Sequence, residues 1–511
     1  MNPANSRLLK NTGLLYGRLI FLTFVNLYAV RVTLEALGDI DYGVYNVIAS
    51  VVASLSILTA AMSSASQRFL SFHIGRGDLE KYSHTFTLLL VVFGIFSLLM
   101  ILAGEILGYF FINDWLNIPS DRLDAAYWVY QASLLAFALG IVNIPYTASI
   151  IANERMDAFA IFSVVEGVLK LFIAFLLVTY MGDRLILYGL LTALISLAIL
   201  VLSIRYCHSH FRYCRYIWKW DGRIFSELSK YTGWNLFGSV SGMLAVQGQN
   251  ILLNIYFGPV VNAAKAIADR IQNVIMGFSI NLYTAASPQI IKSYASEDYT
   301  RAMSLVVKTS KMSFMLIFVL AFPILCNMQG LLDLWLAEKA RIEYMCAFSG
   351  LILLYCMLAS LEPPLSRIIQ ATGRIRNYQV LVGIVTLSYI PIAAVALYFG
   401  ADPTMTLKIL IAVMAVAHVV RLVVVHRQVG LDYGVYMREV ALPIVKVAFI
   451  AIPLYLVFVS YPDNGTIWLL IANTALTGFA GIFVVAFIGL DRNERNSVIE
   501  LIKSRINRNR A

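Results

Sequence analysis

A bundle of membrane-spanning helices is the fold class this sequence predicts, and three observations predict it. Of the 511 residues, 60% are hydrophobic and only 13% charged, where a soluble domain carries roughly a quarter charged residues. Apolar stretches of about 20 residues, the length that crosses a bilayer, recur from one end to the other. Lys and Arg gather in alternate loops between them, as membrane topology demands. The expected architecture is an all-α integral membrane protein of about 14 transmembrane helices, built as two parallel six-helix repeats plus two C-terminal helices.

The first span, at about 12–34, sets the pattern. Asn11–Gly38 reads NTGLLYGRLIFLTFVNLYAVRVTLEALG, apolar enough to cross yet carrying Arg18 and Arg31. A cation in hydrocarbon is expensive and normally faces a bundle interior or a wet cavity. The remaining spans follow at about 43–64, 84–110, 125–150, 158–181, 185–204, 231–257, 264–287, 310–332, 345–366, 378–399, 405–426, 439–460 and 466–489. Their 3.6-residue amphipathicity is weak, as expected of helices apolar nearly all round.

The opening layout returns 220 positions later. Thr12-Gly13 matches Thr232-Gly233 and Gly38 matches Gly258, while Gln67, Ser71 and Phe72 match Gln289, Ser293 and Tyr294 at an offset of 222. Few positions are identical, and the support lies in equal spacing on membrane helices, a mark of transporter folds. Six spans precede the second copy, so the repeat is parallel. The expected divisions are 1–222 and 223–430 for the two halves, 431–490 for two added spans, and 491–511 for a basic tail.

Orientation follows from the loops. Twenty-eight Lys and Arg fall in one alternate set of segments and six in the other, which places both termini in the cytoplasm. The net charge of +10 therefore reflects topology, and no nucleic-acid partner is expected. The first apolar segment is too long for a cleavable signal peptide and has no small-residue cleavage site. Five scattered Cys contain no CxxC, so neither a metal site nor a disulfide framework is expected; Cys207 and Cys214 could pair, but a cytoplasmic loop keeps thiols reduced. The loop Tyr206–Lys230 mixes Trp218, Trp220 and Tyr with basic residues, composition suited to a linker lying on headgroups. The tail puts Val498, Leu501, Ile502 and Ile506 on one face of an interfacial helix.

Several polar groups inside the spans could carry chemistry. Glu166 and Lys170 are four apart on span five, either a pair locking helices together or a cavity-facing pair. Arg18 could snorkel to the interface, and Arg31 could pair locally with Glu35. Lys265 and Asp269 can pair, leaving Arg270 in line with Asn273, Gly277 and Asn281. Gln247, Asn250 and Asn254 form a polar stripe on span seven, which either glues helices or lines a water path. Glu362 precedes Pro363-Pro364, where backbone hydrogen bonds must break. Lys408 and Lys446 are further deep cations. No GxxxxGK[ST], GxSxG or HExxH occurs, so no ATP-driven pump, hydrolase or other enzyme is read; no catalytic residue, metal or cofactor is expected.

With RVTLEALGDIDYGVYNVIASVV (31–52) and SSASQRFLSFHIGRGD (63–78), the chain resembles the polysaccharide-transporter branch of the MOP superfamily, flippases for undecaprenyl-diphosphate-linked oligosaccharides related to lipid II flippases and MATE exporters. The resemblance implies a V-shaped bundle in a bacterial cytoplasmic membrane, with a central cavity open to one side at a time. It implies export of surface polysaccharide such as O-antigen, lipid-linked oligosaccharide and membrane lipid as partners, and other polysaccharide-assembly membrane proteins beside it. Arg18, Arg31 and Arg270, with Lys170, Asn250 and Asn254, are the expected substrate contacts, and Glu166, Asp269 and Glu362 the expected coupling groups. The alternative is a cation-coupled exporter of small amphiphiles of MATE type, which would favour acidic rather than basic groups in the cavity.

Overall fold

The computed structural model describes residues 3–54, 56–110, 120–217, 221–336, 344–459, 467–492 and 494–496, and within these every regular element is helical. The helices in order are α1 (Pro3–Ser54), α2 (Ser56–Gly75), α3 (Leu79–Phe110), α4 (Leu123–Ala152), α5 (Met156–Thr179), α6 (Arg184–His210), α7 (Gly222–Ala295), α8 (Tyr299–Cys326), α9 (Met328–Leu336), α10 (Met345–Ala359), α11 (Glu362–Thr372), α12 (Arg376–Leu387), α13 (Tyr389–Tyr398), α14 (Met405–Val429), α15 (Tyr433–Tyr436), α16 (Leu442–Val459) and α17 (Ile467–Val484). Twelve segments are long and apolar enough to cross a membrane among the described residues, against the fourteen expected. The second expected span passes through position 55, outside the described residues. The seventh carries the polar stripe, which lowers its hydropathy. Trp218, Trp220, Lys339, Arg341 and the face Val498–Ile506 also lie outside the described residues.

Two of these helices are each two helices joined at a sharp corner. Inside α1, Gly38 takes φ 77°, ψ 171°; inside α7, Gly258 takes φ 78°, ψ −172°. That region of backbone space is open essentially to glycine alone. No atom outside the local chain lies within 4 Å of where a Cβ would stand at either position, so the glycines answer a backbone demand and not a crowding one.

The repeat continues past the corners. Helix α2 ends in a left-handed turn at Gly77 (φ 70°) and the long helix α7 ends in one at Glu297 (φ 64°). Asp78 then accepts from the Lys81 amide at 3.1 Å, and Asp298 accepts from the Arg301 amide at 3.1 Å, each carboxylate capping the next helix. All four correspondences keep an offset of 220. Equal lengths between corner and turn leave no room for the extra two residues that matching Gln67 to Gln289 requires, so that part of the expected register is corrected.

The chain packs as two compact units: Leu8–Leu236 with Ile291–Glu297, and Met1–Arg7 with Phe237–Ile290 and Asp298–Ala511. In the first, α4 packs on α2, α3 and α6. Val44, Ile48, Ala126, Val129, Leu134 and Leu185 form one core cluster, while Ile173, Leu177, Ile195 and Ile199 join α5 to α6. The end of α7 is fastened into this unit: Lys292 pairs with Glu154 at 2.7 Å, and a Cβ on Gly75 would stand 2.6 Å from the Lys292 carbonyl oxygen. Small size at position 75 is therefore a condition of that backbone approach.

The described part of the linker before position 218 makes hydrogen bonds to α3. Thr87 donates to the Arg215 carbonyl at 3.3 Å and accepts from the Ile217 amide at 3.0 Å, while Ser83 donates to the Tyr213 carbonyl at 2.7 Å. The Tyr213 and Arg215 carbonyls and the Ile217 amide are thus satisfied by side chains of α3.

In the second unit, α8 packs on α10, α11, α16 and α17, and α14 on α10, α11, α12 and α13. The double proline falls in the first turn of α11, where a missing N–H has no intrahelical partner to lose. The interruption between Ala359 and Glu362 is the break that Pro363-Pro364 implies.

Candidate transport site

In the first unit, α1 and α5 pack along a shared stripe. Gly167 admits Leu22, whose Cδ2 would lie 2.5 Å from an added Cβ. One turn earlier on each helix, Arg18 donates to the Ser163 hydroxyl at 3.1 Å and sits 4.6 Å over the Phe159 ring. Phe159, Ser163 and Gly167 are four apart, so one face of α5 offers a ring, a hydroxyl and a gap in succession. Arg18 is half-buried there, with an aromatic and a hydroxyl contact in addition to any path to the interface.

The other first-unit candidates are more exposed. Arg31 pairs with Glu35 at 3.0 Å with 76% and 64% of the two side chains exposed, the local pair that their spacing allows. Thirteen residues of helix separate Arg18 from Arg31, roughly 20 Å by helical rise, so one diphosphate cannot bridge them. Lys170 pairs with Glu166 at 2.6 Å, both side chains about two-fifths exposed at 44% and 41%.

In the second unit, the polar stripe of α7 is only partly inside. Asn254 is exposed and Asn250 half-buried. Gln249, which the stripe omitted, is buried and donates to the Thr406 hydroxyl at 3.1 Å; hydrogen bonding between helices wins at that residue. Lys265 is buried and pairs with Asp269, leaving Arg270 exposed.

Glu362 has a partner that sequence reasoning missed. Arg421, one of the twenty-eight cations assigned to the loops although it falls within the expected span 405–426, is 3% exposed and meets Glu362 at 2.9 Å; its second amino group lies 3.2 Å from the Met414 sulfur. His418, one turn before Arg421, approaches the Tyr436 hydroxyl at 3.3 Å. The pair joins the broken stretch α10–α11 to α14. A buried ion pair costs desolvation on both sides, and removing one member leaves the other charge uncompensated. The signal was present in the run VVRLVVVH, where Arg421 is flanked by apolar residues on both sides.

Two further cations of the first unit also have structural work. Arg122 binds Asp41 through two nitrogens and Asp183 at 2.9 Å, and Asp183 in turn caps α6. Arg184 donates to the Ala36 carbonyl at 2.9 Å, two residues before the Gly38 corner. Among the described residues no group of three His, Cys, Asp or Glu side chains is placed to hold a metal ion.

The described residues thus form a polytopic bundle of apolar helices that carries several paired charges. Residues 240–399 match the MatE family. A MOP superfamily transporter from Pyrococcus furiosus, described as having a binding pocket of reverse polarity that suggests a different function, superposes with a TM-score of 0.72 at 12% identity, covering 83% of this chain and 96% of that one. An outward-facing multidrug resistance MATE family transporter of the MOP superfamily gives 0.71 at 13% identity over 82% and 95%. A MATE structure in a bent conformation gives 0.73 at 13% identity over 83% and 95%. No curated protein matches the chain. The fold is that of the MATE transporters.

Proposed function

We propose that this chain is a MOP-type transporter that carries an amphiphilic solute across a membrane by alternating access, as a cation-coupled exporter of MATE type. The observation that carries this reading is the fold, which follows solved MATE structures across more than four-fifths of the chain, with residues 240–399 matching the MatE family. The expected coupling acids support it. Each holds a base: Glu166 with Lys170, Asp269 with Lys265, Glu362 with Arg421. Protonating the acid, or giving it another cation, would release the base and supply a two-state element on which coupling can act.

A second reading, translocation of undecaprenyl-diphosphate-linked oligosaccharide, has an observation of its own. The charge on α1 inside the first span is basic, and Arg18 is held on α5 by a ring and a hydroxyl. A guanidinium suits bidentate phosphate contact, and one structural relative is described as having reversed pocket polarity.

The deciding experiment is transport by the purified chain in sealed vesicles. A fluorescent organic amphiphile under an imposed proton or sodium gradient is compared with a lipid-linked oligosaccharide in the same vesicles. Gradient-dependent movement of the amphiphile, abolished by an ionophore, is the expected result. Movement of the oligosaccharide alone, weakened in Arg18→Ala by about one to two decades as loss of a charge-assisted contact implies, would replace it with the second reading. Movement of neither cargo would overturn both.

A further inference from the structure

Two cysteines meet where the first unit's linker leaves its last helix. Cys207 lies in the final turn of α6. The Phe211 amide donates to the Cys207 carbonyl at 2.9 Å, and the Cys214 amide donates to the Phe211 carbonyl at 3.0 Å, so the chain turns back on itself. Both cysteine side chains are completely buried. Helix α4 seats them within one turn: the Cys207 thiol donates to the Tyr146 carbonyl at 3.6 Å, and the Ser149 hydroxyl lies 3.2 Å from the Cys214 sulfur. The Tyr82 hydroxyl closes the group, 2.7 Å from Ser149 and 3.8 Å from the Cys214 sulfur. Both thiols thus sit against the same turn of α4, Cys207 at Tyr146 and Cys214 at Ser149. Cys326, Cys346 and Cys356 all belong to the other unit.

We propose that Cys207 and Cys214 form a dithiol that hydrogen peroxide oxidises to an internal disulfide, with Cys214 attacking the oxidant and Cys207 resolving the product. The roles follow from the surroundings. The Ser149 and Tyr82 hydroxyls stand beside the Cys214 sulfur and can donate to it, which favours its thiolate, whereas the Cys207 thiol donates to the Tyr146 carbonyl, which favours its protonated form. A thiolate is the nucleophile, and a resolving thiol beside it is the usual arrangement of a reversible oxidation site.

The steps balance. Cys214 loses its proton and its sulfur attacks one peroxide oxygen; the O–O bond breaks, hydroxide leaves and takes up that proton as water, and Cys214 becomes a sulfenic acid. The Cys207 sulfur then attacks the Cys214 sulfur; the S–S bond forms, the S–O bond breaks, and the hydroxyl leaves as water with the Cys207 proton. Two thiols are oxidised and one peroxide is reduced to two waters. Peroxide is close to water in size and reaches the pair through local opening of residues 211–217. The disulfide ties that segment, already bonded to Ser83 and Thr87 on α3, covalently to α6.

The test uses the full-length protein in vesicles, reduced, exposed to hydrogen peroxide, alkylated and mapped by mass spectrometry. A cross-linked Cys207–Cys214 peptide that has lost two hydrogens is expected. In Cys207→Ser, Cys214 should accumulate as a sulfenic acid trapped by dimedone; in Cys214→Ser, Cys207 should stay reduced at the same dose. Both thiols fully alkylated under conditions that oxidise half-buried Cys346 would overturn the proposal, as would trapping of Cys207 in place of Cys214. Should either variant fail to fold, the parent protein's peptide map decides alone.

Discussion

The two corners, at Gly38 and at Gly258, have the same backbone and different fastenings. Around Gly38 the clasp is ionic and comes from distant helices: Arg122 holds Asp41 and Asp183, and Arg184 fills the Ala36 carbonyl. Around Gly258 the residue in register with Asp41 is Val261, which is buried. There Asn262 donates to the Asn250 carbonyl at 3.2 Å, a bond contained within α7. Among the described residues no ion pair reaches positions 250–262. One corner is thus fixed by charges from outside its helix, the other by packing and a neutral bond of its own. A repeat can keep its geometry while exchanging the interactions that hold it, because the backbone requirement falls on glycine and the fastening on whatever surrounds it.

The largest effect should come from the glycines. Alanine at either position is forced into a region that costs about 1–3 kcal/mol. If the clasp fixes the first corner, Gly38→Ala should show the full loss in thermal unfolding, while Gly258→Ala should show a smaller one because its corner can relax. Equal losses would break the comparison.

Next comes the clasp itself. Arg122→Ala leaves Asp41 and Asp183 facing each other without a cation, with the Arg122 and Asp41 side chains only 22% and 18% exposed. A loss of about 1.5–3 kcal/mol is expected for the charge-assisted bonds. Arg122→Lys should recover part of it, since Lys keeps the charge without the planar fork. Hydrogen exchange at residues 36–41 should quicken in Arg122→Ala while 256–261 stays unchanged; faster exchange at both corners would mean that the fastening is shared.

The smallest effect concerns the turns. Gly77 tolerates its left-handed conformation and Glu297 is strained in the same one, a burden of about 1–2 kcal/mol for a side-chain-bearing residue. Glu297→Gly should therefore stabilise by about 1 kcal/mol, and Gly77→Ala destabilise by a similar amount, both read as shifts in unfolding temperature.

What the sequence made legible was what depends on neighbours in the chain. The membrane class follows from composition, the corners from glycines at equal spacing, and the pairs Arg31–Glu35, Glu166–Lys170 and Lys265–Asp269 from a separation of four. Contacts between distant segments were not legible. Arg184 meets a carbonyl 148 positions away. Arg421 was read as a loop cation because it stands near a helix end, while its burial depends on how α10, α11 and α14 pack. Gln249 was left off a stripe drawn by angular spacing because only Thr406 reveals which face is inside.

One pair bears on how the chain is made. Lys311 on α8 is 3% exposed and is joined at 2.6 Å to Glu494, itself 11% exposed, which lies 183 residues later. During synthesis α8 reaches the membrane long before its counter-ion exists. The ammonium must wait at the lipid–water boundary, or in water admitted among the unfinished helices, through the arrival of five further apolar spans. Only when the segment after α17 folds, with Asp491 and Glu494 bonding each other's amides, does that charge find its place. A ribosome stalled before residue 494 would release a chain whose second unit still has an uncompensated cation near its core.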